Sequence, residues 1–305
     1  MNANPAAARP PSAGAALARE NRAALLPRLA FAAALGLAGA FGASAAEPPP
    51  GAPPHVGEAF AIPGLELPMA PLAAGTFTMG SPVSEIGHRA DETPHRVTLT
   101  RPFWLGRTPV TQAQYEAVAG SDPAHFKGAA LPVESVSWTD AMAFCRSLTQ
   151  RERAAGRLPA GYAYTLPTEA QREYACRAGT GGPYAGELAA IAWYSGDSDD
   201  QPHAVGEKQP NAWGLYDMQG NVWEWCLDWY APYSDEAATD PGGPSRGDAR
   251  VYRGGAWFHS RDLCRSAYRY KLDPATRASL LGFRIALSPV ATETPGVGAP
   301  DPIKP

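Results

Sequence analysis

Two periodicities alternate through the middle of the chain. Thr76-Phe77-Thr78-Met79 and Val97-Thr98-Leu99 switch between polar and apolar positions with a period of two, as half-buried strands do. Three other segments begin alike. Thr111-Gln112-Ala113-Gln114, Ser137-Trp138-Thr139-Asp140 and Thr168-Glu169-Ala170-Gln171 each place a hydroxyl three residues ahead of a polar side chain. Reciprocal bonds within such a group satisfy two amides that a helix start would orphan, so the pattern predicts capping boxes. Gly120 and Gly179 stand where helix C-caps belong. Helices of about 8–12 residues are expected, with Ala141, Phe144 and Cys145 turned toward a core. Near the C-terminal end, Arg253-Gly254-Gly255-Ala256-Trp257 and Gly282-Phe283-Arg284-Ile285 read as strand pieces. Gly254 and Gly255 mark a bulge or a close backbone approach. From Thr180 to Tyr252 periodicity is weak. A stretch that long is normally functional or disordered, and its tryptophans argue for order.

The ends differ in character from this middle. Arg19, Arg22 and Arg28 precede an apolar run from Leu29 to Phe41, and Ala43-Ser44-Ala45 offers small residues for cleavage. Residues 1–46 therefore read as a signal peptide, which predicts a periplasmic or secreted protein. The alternative is a retained anchor, although the apolar run falls short of the roughly 20 residues that a spanning helix needs. No membrane association is expected once the signal is removed. Residues 47–69, rich in proline and alanine, suit an extended linker, and residues 288–305 read as a disordered tail. All eight tryptophans and all four cysteines lie between these ends, marking one packed unit over 70–287.

Charge and cysteine content narrow the chemistry. A net charge of -4 with scattered Lys and Arg gives no footprint for nucleic acid. An oxidising compartment would let Cys145, Cys176, Cys226 and Cys264 form disulfides, in any of three pairings. No zinc-type spacing is present. His88 and His95 flank an acidic stretch, and such isolated histidines are more often surface or capping residues than ligands. Trp223, Trp225 and Trp229 could line an aromatic groove for a peptide or glycan, or, for at least two of them, pack a core.

A series of motifs then carries a resemblance. Gly75-Thr76-Phe77-Thr78-Met79-Gly80, Asp91-Glu92-Thr93-Pro94-His95-Arg96-Val97, Leu166-Pro167-Thr168-Glu169-Ala170 and Glu173-Tyr174-Ala175-Cys176-Arg177 follow one another in order. They lead to Asn211-Ala212-Trp213-Gly214-Leu215-Tyr216-Asp217-Met218 and Gly220-Asn221-Val222-Trp223-Glu224-Trp225. Arg253-Gly254-Gly255-Ala256-Trp257 and Leu281-Gly282-Phe283-Arg284 close the series. In this order they resemble the formylglycine-generating enzyme (sulfatase-modifying factor) family over the whole packed unit. The resemblance implies an α+β fold, irregular and loop-rich, related to C-type lectins.

Its implications for chemistry divide. The family's oxidases hold copper between two cysteines and use oxygen to convert a sulfatase cysteine to formylglycine, a fitting task for soft thiolates. Here His259 matches the first cysteine and Cys264 the second, while Ala256 and Ser260 replace a neighbouring serine and histidine. His259 and Cys264 are the candidate catalytic pair, for copper or iron. Otherwise His259 is a loop residue and Cys264 a buried thiol or disulfide partner. The family's eukaryotic disulfides would join Cys145 and Cys176 to positions that hold Ile285 and Arg269 here, so those bridges cannot form. The resemblance also implies a structural calcium held by Asp217, Gly220, Val222 and Glu224, two carboxylates and two backbone carbonyls. The alternative is a metal-free turn capped by the same carboxylates.

Three function classes follow. The leading expectation is an exported family member that binds a protein, peptide or envelope ligand. The others are a metal- and oxygen-dependent oxidase of the periplasmic pyoverdine-maturation type, and a formylglycine-generating oxidase acting on a sulfatase. Whether the chain is an enzyme stays open at the level of sequence.

Overall fold

The computed structural model describes residues 52–290. The signal peptide expected at 1–46 and most of the C-terminal tail lie outside the described residues. The three predicted helix starts are present as α1 (Gln112–Ala119), α2 (Trp138–Ala154) and α3 (Glu169–Arg177). In each, the cap hydroxyl of Thr111, Ser137 or Thr168 accepts from the third helical amide, and the side chain of Gln114, Asp140 or Gln171 accepts from the cap amide. Gly120 closes α1 with a φ of 76°, a left-handed conformation that glycine adopts without a Cβ penalty. The cap of α3 is Ala178, one residue before the expected Gly179. α2 extends to 17 residues, longer than expected, because Leu148 continues its buried face and Glu152 anchors its last turn by accepting from Arg151 and Arg157. A single helical turn, α4 (Leu188–Ile191), follows later.

The strands form three small sheets. The first runs β1 (Phe60–Ile62), β2 (Leu67–Leu72), β5 (Phe103–Gly106), β12 (Ala286–Pro289) and β6 (Tyr162–Thr165), antiparallel throughout. Two boundaries drawn from composition are corrected here. Residues 60–69 are not linker, because Ile62, Leu67 and Met69 enter the core. The prolines among them conceal the alternation but not the pairing: Pro68 has no amide to give, yet its carbonyl accepts from the Arg107 amide at 2.8 Å. Ser288 and Pro289 likewise belong to β12, opposite Ala163 and Tyr162, and not to a tail. Against this sheet, Tyr115 of α1 and Phe144, Cys145 and Leu148 of α2 join Trp104, Phe283 and Leu287 in the largest apolar cluster.

The second sheet pairs β3 (Gly75–Met79) antiparallel with β4 (His95–Leu99), which runs parallel to β8 (Ala238–Thr239). The third is ordered β10 (Arg269–Leu272), β9 (Arg250–Arg253), β7 (Trp223–Trp229), β11 (Leu281–Gly282). Long loops join these short elements, as the α+β, lectin-related expectation required. All four cysteines are buried free thiols.

Behind the third sheet lies a charged layer that hydropathy did not announce. Arg172, Arg253, Arg265, Arg269 and Arg284 are almost fully buried. Glu224 binds Arg172 and Arg284, Glu173 binds Arg177 and Arg253, Glu169 binds Arg269 and Arg253, and Glu92 binds Arg265. These guanidiniums also donate to backbone carbonyls, among them those of Met218, Ala267 and Gly106. Charge-assisted bonds of this kind tie α3 to β7, β9 and β10 and to the loop before β4.

Candidate functional site

The two sequence-predicted catalytic residues lie on the loop after β9. Gly254 and Gly255 carry φ values of 108° and 77°, which turn the chain sharply out of the sheet. A Cβ on Gly255 would stand 2.5 Å from the Cys264 sulfur, and one on Gly254 would stand 2.8 Å from Arg172 Nη2. The close approach expected at this glycine pair is real, and it is what lets Cys264 pack beneath the loop. A 3₁₀ turn, Arg261–Cys264, delivers that residue, and Gln219 Nε2 donates to its carbonyl at 2.7 Å.

His259 and Cys264 face different surroundings. The indole N–H of Trp223 donates to His259 Nδ1 at 3.1 Å. Indole nitrogen only donates, so this bond occupies the Nδ1 lone pair and leaves the neutral ring's proton on Nε2. Partial burial holds the imidazole pKa below its ordinary value. Cys264 packs with Leu188, Ile191 and Ala192 instead. Burial, with a smaller contribution from nearby Cys176, pushes its thiol up to about 12. A metal-binding or redox-active cysteine works as the thiolate, and this setting disfavours the thiolate. Among the described residues no group of three or more His, Cys, Asp and Glu side chains stands together as a metal site.

The calcium candidates occupy a loop coiled by three left-handed residues: Asp217 (φ 52°), Gly220 (φ 78°) and Asn221 (φ 60°). A side chain on Gly220 would overlap the Trp193 carbonyl. Asp217 is buried. Its Oδ2 accepts from the Gly206 amide at 2.8 Å and its Oδ1 from the Asn221 side chain at 3.4 Å. Desolvation outweighs these bonds and the nearby Arg284 charge and pushes the carboxyl up to about 6; as an oxygen donor, Asp217 is of the type a hard cation takes. Glu224 does not fit in this arrangement. Its Oε2 accepts from Arg172 Nε and Arg284 Nε, each at 2.7 Å, and its Oε1 from Arg284 Nη2 at 2.7 Å. The two guanidiniums, opposing desolvation, hold this carboxyl below its ordinary range. Gly220 and Val222 belong to the same loop, and the Gly220 amide donates to Gly254 O at 2.8 Å.

Of the tryptophans, Trp223 and Trp225 are core residues, and Trp229 stacks with Trp138 while Arg250 lies over its ring at 3.5 Å. His88 bonds Ser81 Oγ at 2.9 Å and His95 bonds the Thr93 carbonyl at 3.0 Å, with no metal-like grouping at either. Sequence reasoning missed a different surface. Tyr268, just before β10, stacks with Tyr270 of that strand, with the Arg89 guanidinium 5.3 and 5.7 Å from their ring centres. On the other face, Lys271 Nζ lies 4.2 Å from the centre of the Tyr230 ring. An open groove of about 660 Å³ runs between Arg89-Ala90-Asp91 and Tyr230, Tyr270 and Lys271. The signal was the alternation Tyr268-Arg269-Tyr270-Lys271, which becomes meaningful only beside Arg89.

The model of the sulfatase-modifying factor enzyme 1-like domain matches residues 67–289. The chain belongs to the formylglycine-generating enzyme family. It is 33% identical over 219 residues to the formylglycine-generating enzyme of Mus musculus, an alignment that covers 65% of this chain and 54% of that enzyme. The chain thus spans about half the length of the mouse relative. Among solved structures it is similar to Treponema denticola variable protein 1, with a TM-score of 0.68 and 32% identity over 75% of this chain and 98% of that one. It is also similar to PvdO from Pseudomonas aeruginosa, with a TM-score of 0.66 and 29% identity over 77% of this chain and 99% of that one. In this divergent family member, the loop after β9 holds an imidazole bonded to Trp223 and a buried thiol pushed up to about 12.

Proposed function

We propose that this protein is an exported member of the formylglycine-generating enzyme family that binds a protein or peptide ligand and does not oxidise a sulfatase cysteine. The observation that carries the reading is the state of the two positions matching the copper cysteines. His259 supplies no thiolate and has one ring nitrogen committed to Trp223. Cys264 is buried, and its thiol is raised to about 12. A soft Cu(I) site asks for two accessible thiolates, and neither position offers one. Phe258 and Tyr270, 58% and 42% exposed, leave aromatic side chains open to a ligand. Export rests on the character of residues 1–46.

The test is mass spectrometry of a Cys-x-Pro-x-Arg peptide incubated with copper-loaded protein, oxygen and a reductant. The expected result is an unchanged cysteine. Aldehyde at that cysteine over multiple turnovers would overturn the proposal. N-terminal sequencing of protein from an exporting host addresses the other half, with a mature start near Ala46 or Glu47 expected and an intact Met1 on a cytoplasmic species counting against it.

A further inference from the structure

The groove beside β10 combines three features that together specify a ligand. First, β10 is an edge. It pairs with β9 from Arg269↔Arg253 to Leu272↔Arg250 and with no other strand among the described residues. No backbone group of residues 269–272 bonds any part of the described chain beyond that ladder. An unpaired strand edge is a row of donors and acceptors awaiting an extended chain.

Second, the groove holds two cations against one carboxylate, and only Arg89 is paired with it. Lys271 has no carboxylate partner among the described residues and rests over the Tyr230 ring. Such a cation–π contact orients an ammonium group while leaving its hydrogen-bond donors free. Arg89 is 44% exposed at its side chain and meets Asp91 only through Nε, at 3.3 Å. Its Nη1 reaches the Tyr268 hydroxyl at 3.4 Å. The one groove carboxylate, Asp91, is already held by Arg89 and by the Tyr230 hydroxyl at 3.0 Å. Arg269, by contrast, is consumed by Glu169 and takes no part. The net offer to a ligand is positive.

Third, the two cations stand on opposite faces of one strand. Tyr270, with Arg89 above it, projects to one side, and Lys271, above Tyr230, to the other. A strand added to this edge would present successive side chains to the same two faces. Edge lysines normally discourage indiscriminate strand pairing. Here the same lysine would select a strand that carries carboxylates.

We infer that β10 is a docking edge for an extended acidic peptide, which adds as a strand and places its carboxylates on Lys271 and Arg89. The inference rests on the ligand-binding reading above but not on the oxidase result. Formylglycine formation would overturn that reading while leaving the present binding measurement unaltered, and a failure to bind here would leave the oxidase result standing.

The experiment uses the full chain and fluorescence anisotropy with a labelled octapeptide of repeated Glu-Glu-Thr-Thr, which places carboxylates on both faces of an added strand. Its lysine-threonine counterpart and an oligogalacturonate of similar length serve as comparisons. Two further versions of the acidic peptide carry methyl groups on alternate backbone amides. The acidic peptide is expected to bind and the lysine peptide to fail. One methylated version should keep binding and the other lose it, since only alternate amides of an added strand face the edge. Lys271→Glu should weaken binding about tenfold, with an unchanged melting curve because Lys271 is exposed. Arg89→Ala should weaken it less. No binding by the acidic peptide, equal binding by the lysine peptide, or indifference to Lys271→Glu would overturn the inference. Equal binding by both methylated versions would remove strand addition. Binding by the oligogalacturonate alone would identify the edge as a surface for anionic glycan and overturn the peptide assignment.

Discussion

The molecule is held by two cores that work by different physics. In the first, Tyr115, Phe144, Leu148, Trp104 and Phe283 fill the space between α1, α2 and the five-stranded sheet. In the second, five buried arginines and the carboxylates of Glu92, Glu169, Glu173 and Glu224 join α3 to the four-stranded sheet. Apolar packing is non-directional and degrades gradually as side chains are resized. A buried ion network is closer to all-or-none, because removing one partner strands the other's charge away from water. The candidate sites hang on the second core. Arg172 touches the Gly254 turn and Glu224, and Arg269 opens β10. Charge therefore positions the candidate sites, and apolar packing holds the bulk of the fold.

The largest expected effect that would test the contrast is Glu224→Ala. It leaves the guanidiniums of Arg172 and Arg284 buried without their shared anion, which should cost about 3–5 kcal/mol. Urea unfolding followed by tryptophan fluorescence measures it. A loss below about 1 kcal/mol, the worth of a surface pair, would erase the distinction between the two cores.

A smaller effect should come from Asp228, at the margin of the network. Its Oδ2 accepts from the Glu169 amide at 2.8 Å. Burial first, and then the nearby Glu169 carboxylate, push its pKa up to about 7. An acid that binds its proton more tightly when folded favours the folded state below that pKa. The advantage is lost as pH rises from about 4, the unfolded value, through about 7. Asparagine removes the titration and keeps an oxygen to accept from the Glu169 amide. Asp228→Asn is therefore expected to raise the melting temperature by roughly 3–6 °C at pH 8 and to leave it unchanged at pH 4. Equal shifts at both pH values would show that packing, not charge, governs the site.

The smallest expected effect concerns the calcium loop. With Glu224 shared between two arginines, a chelator should leave the thermal melt where it is. A drop on chelation that is reversed by added calcium would mean that the cation competes successfully for Asp217 and Glu224, because a ligand bound only by the folded state stabilises it by mass action. The charged core would then be partly metal-dependent.

Much was legible without coordinates. The capping boxes at Thr111, Ser137 and Thr168 act within one turn, so local spacing determined them. The order of motifs determined the family, and the glycine pair at 254–255 announced a close approach. The limits of the unit were misjudged at both ends, because the prolines of β2 and β12 hid strands that only pairing with β5 and β6 made evident. Cys264 and His259 could be named in advance, but their different fates could not. Whether a thiol is a thiolate depends on desolvation by Leu188 and Ile191, and whether an imidazole nitrogen is free depends on an indole 36 residues away. The arginines carried no visible pattern, since a guanidinium reads as surface until its carboxylate, as far off as 180 residues for Arg265 and Glu85, arrives to neutralise it. Short-range hydrogen bonding and side-chain shape are written in adjacent residues, and those the sequence determined alone. The state of each ionisable group, and the groove that gathers Arg89, Tyr230 and Lys271, were decided by tertiary structure, because burial and Coulomb energy depend on distances that exist only once the chain has closed.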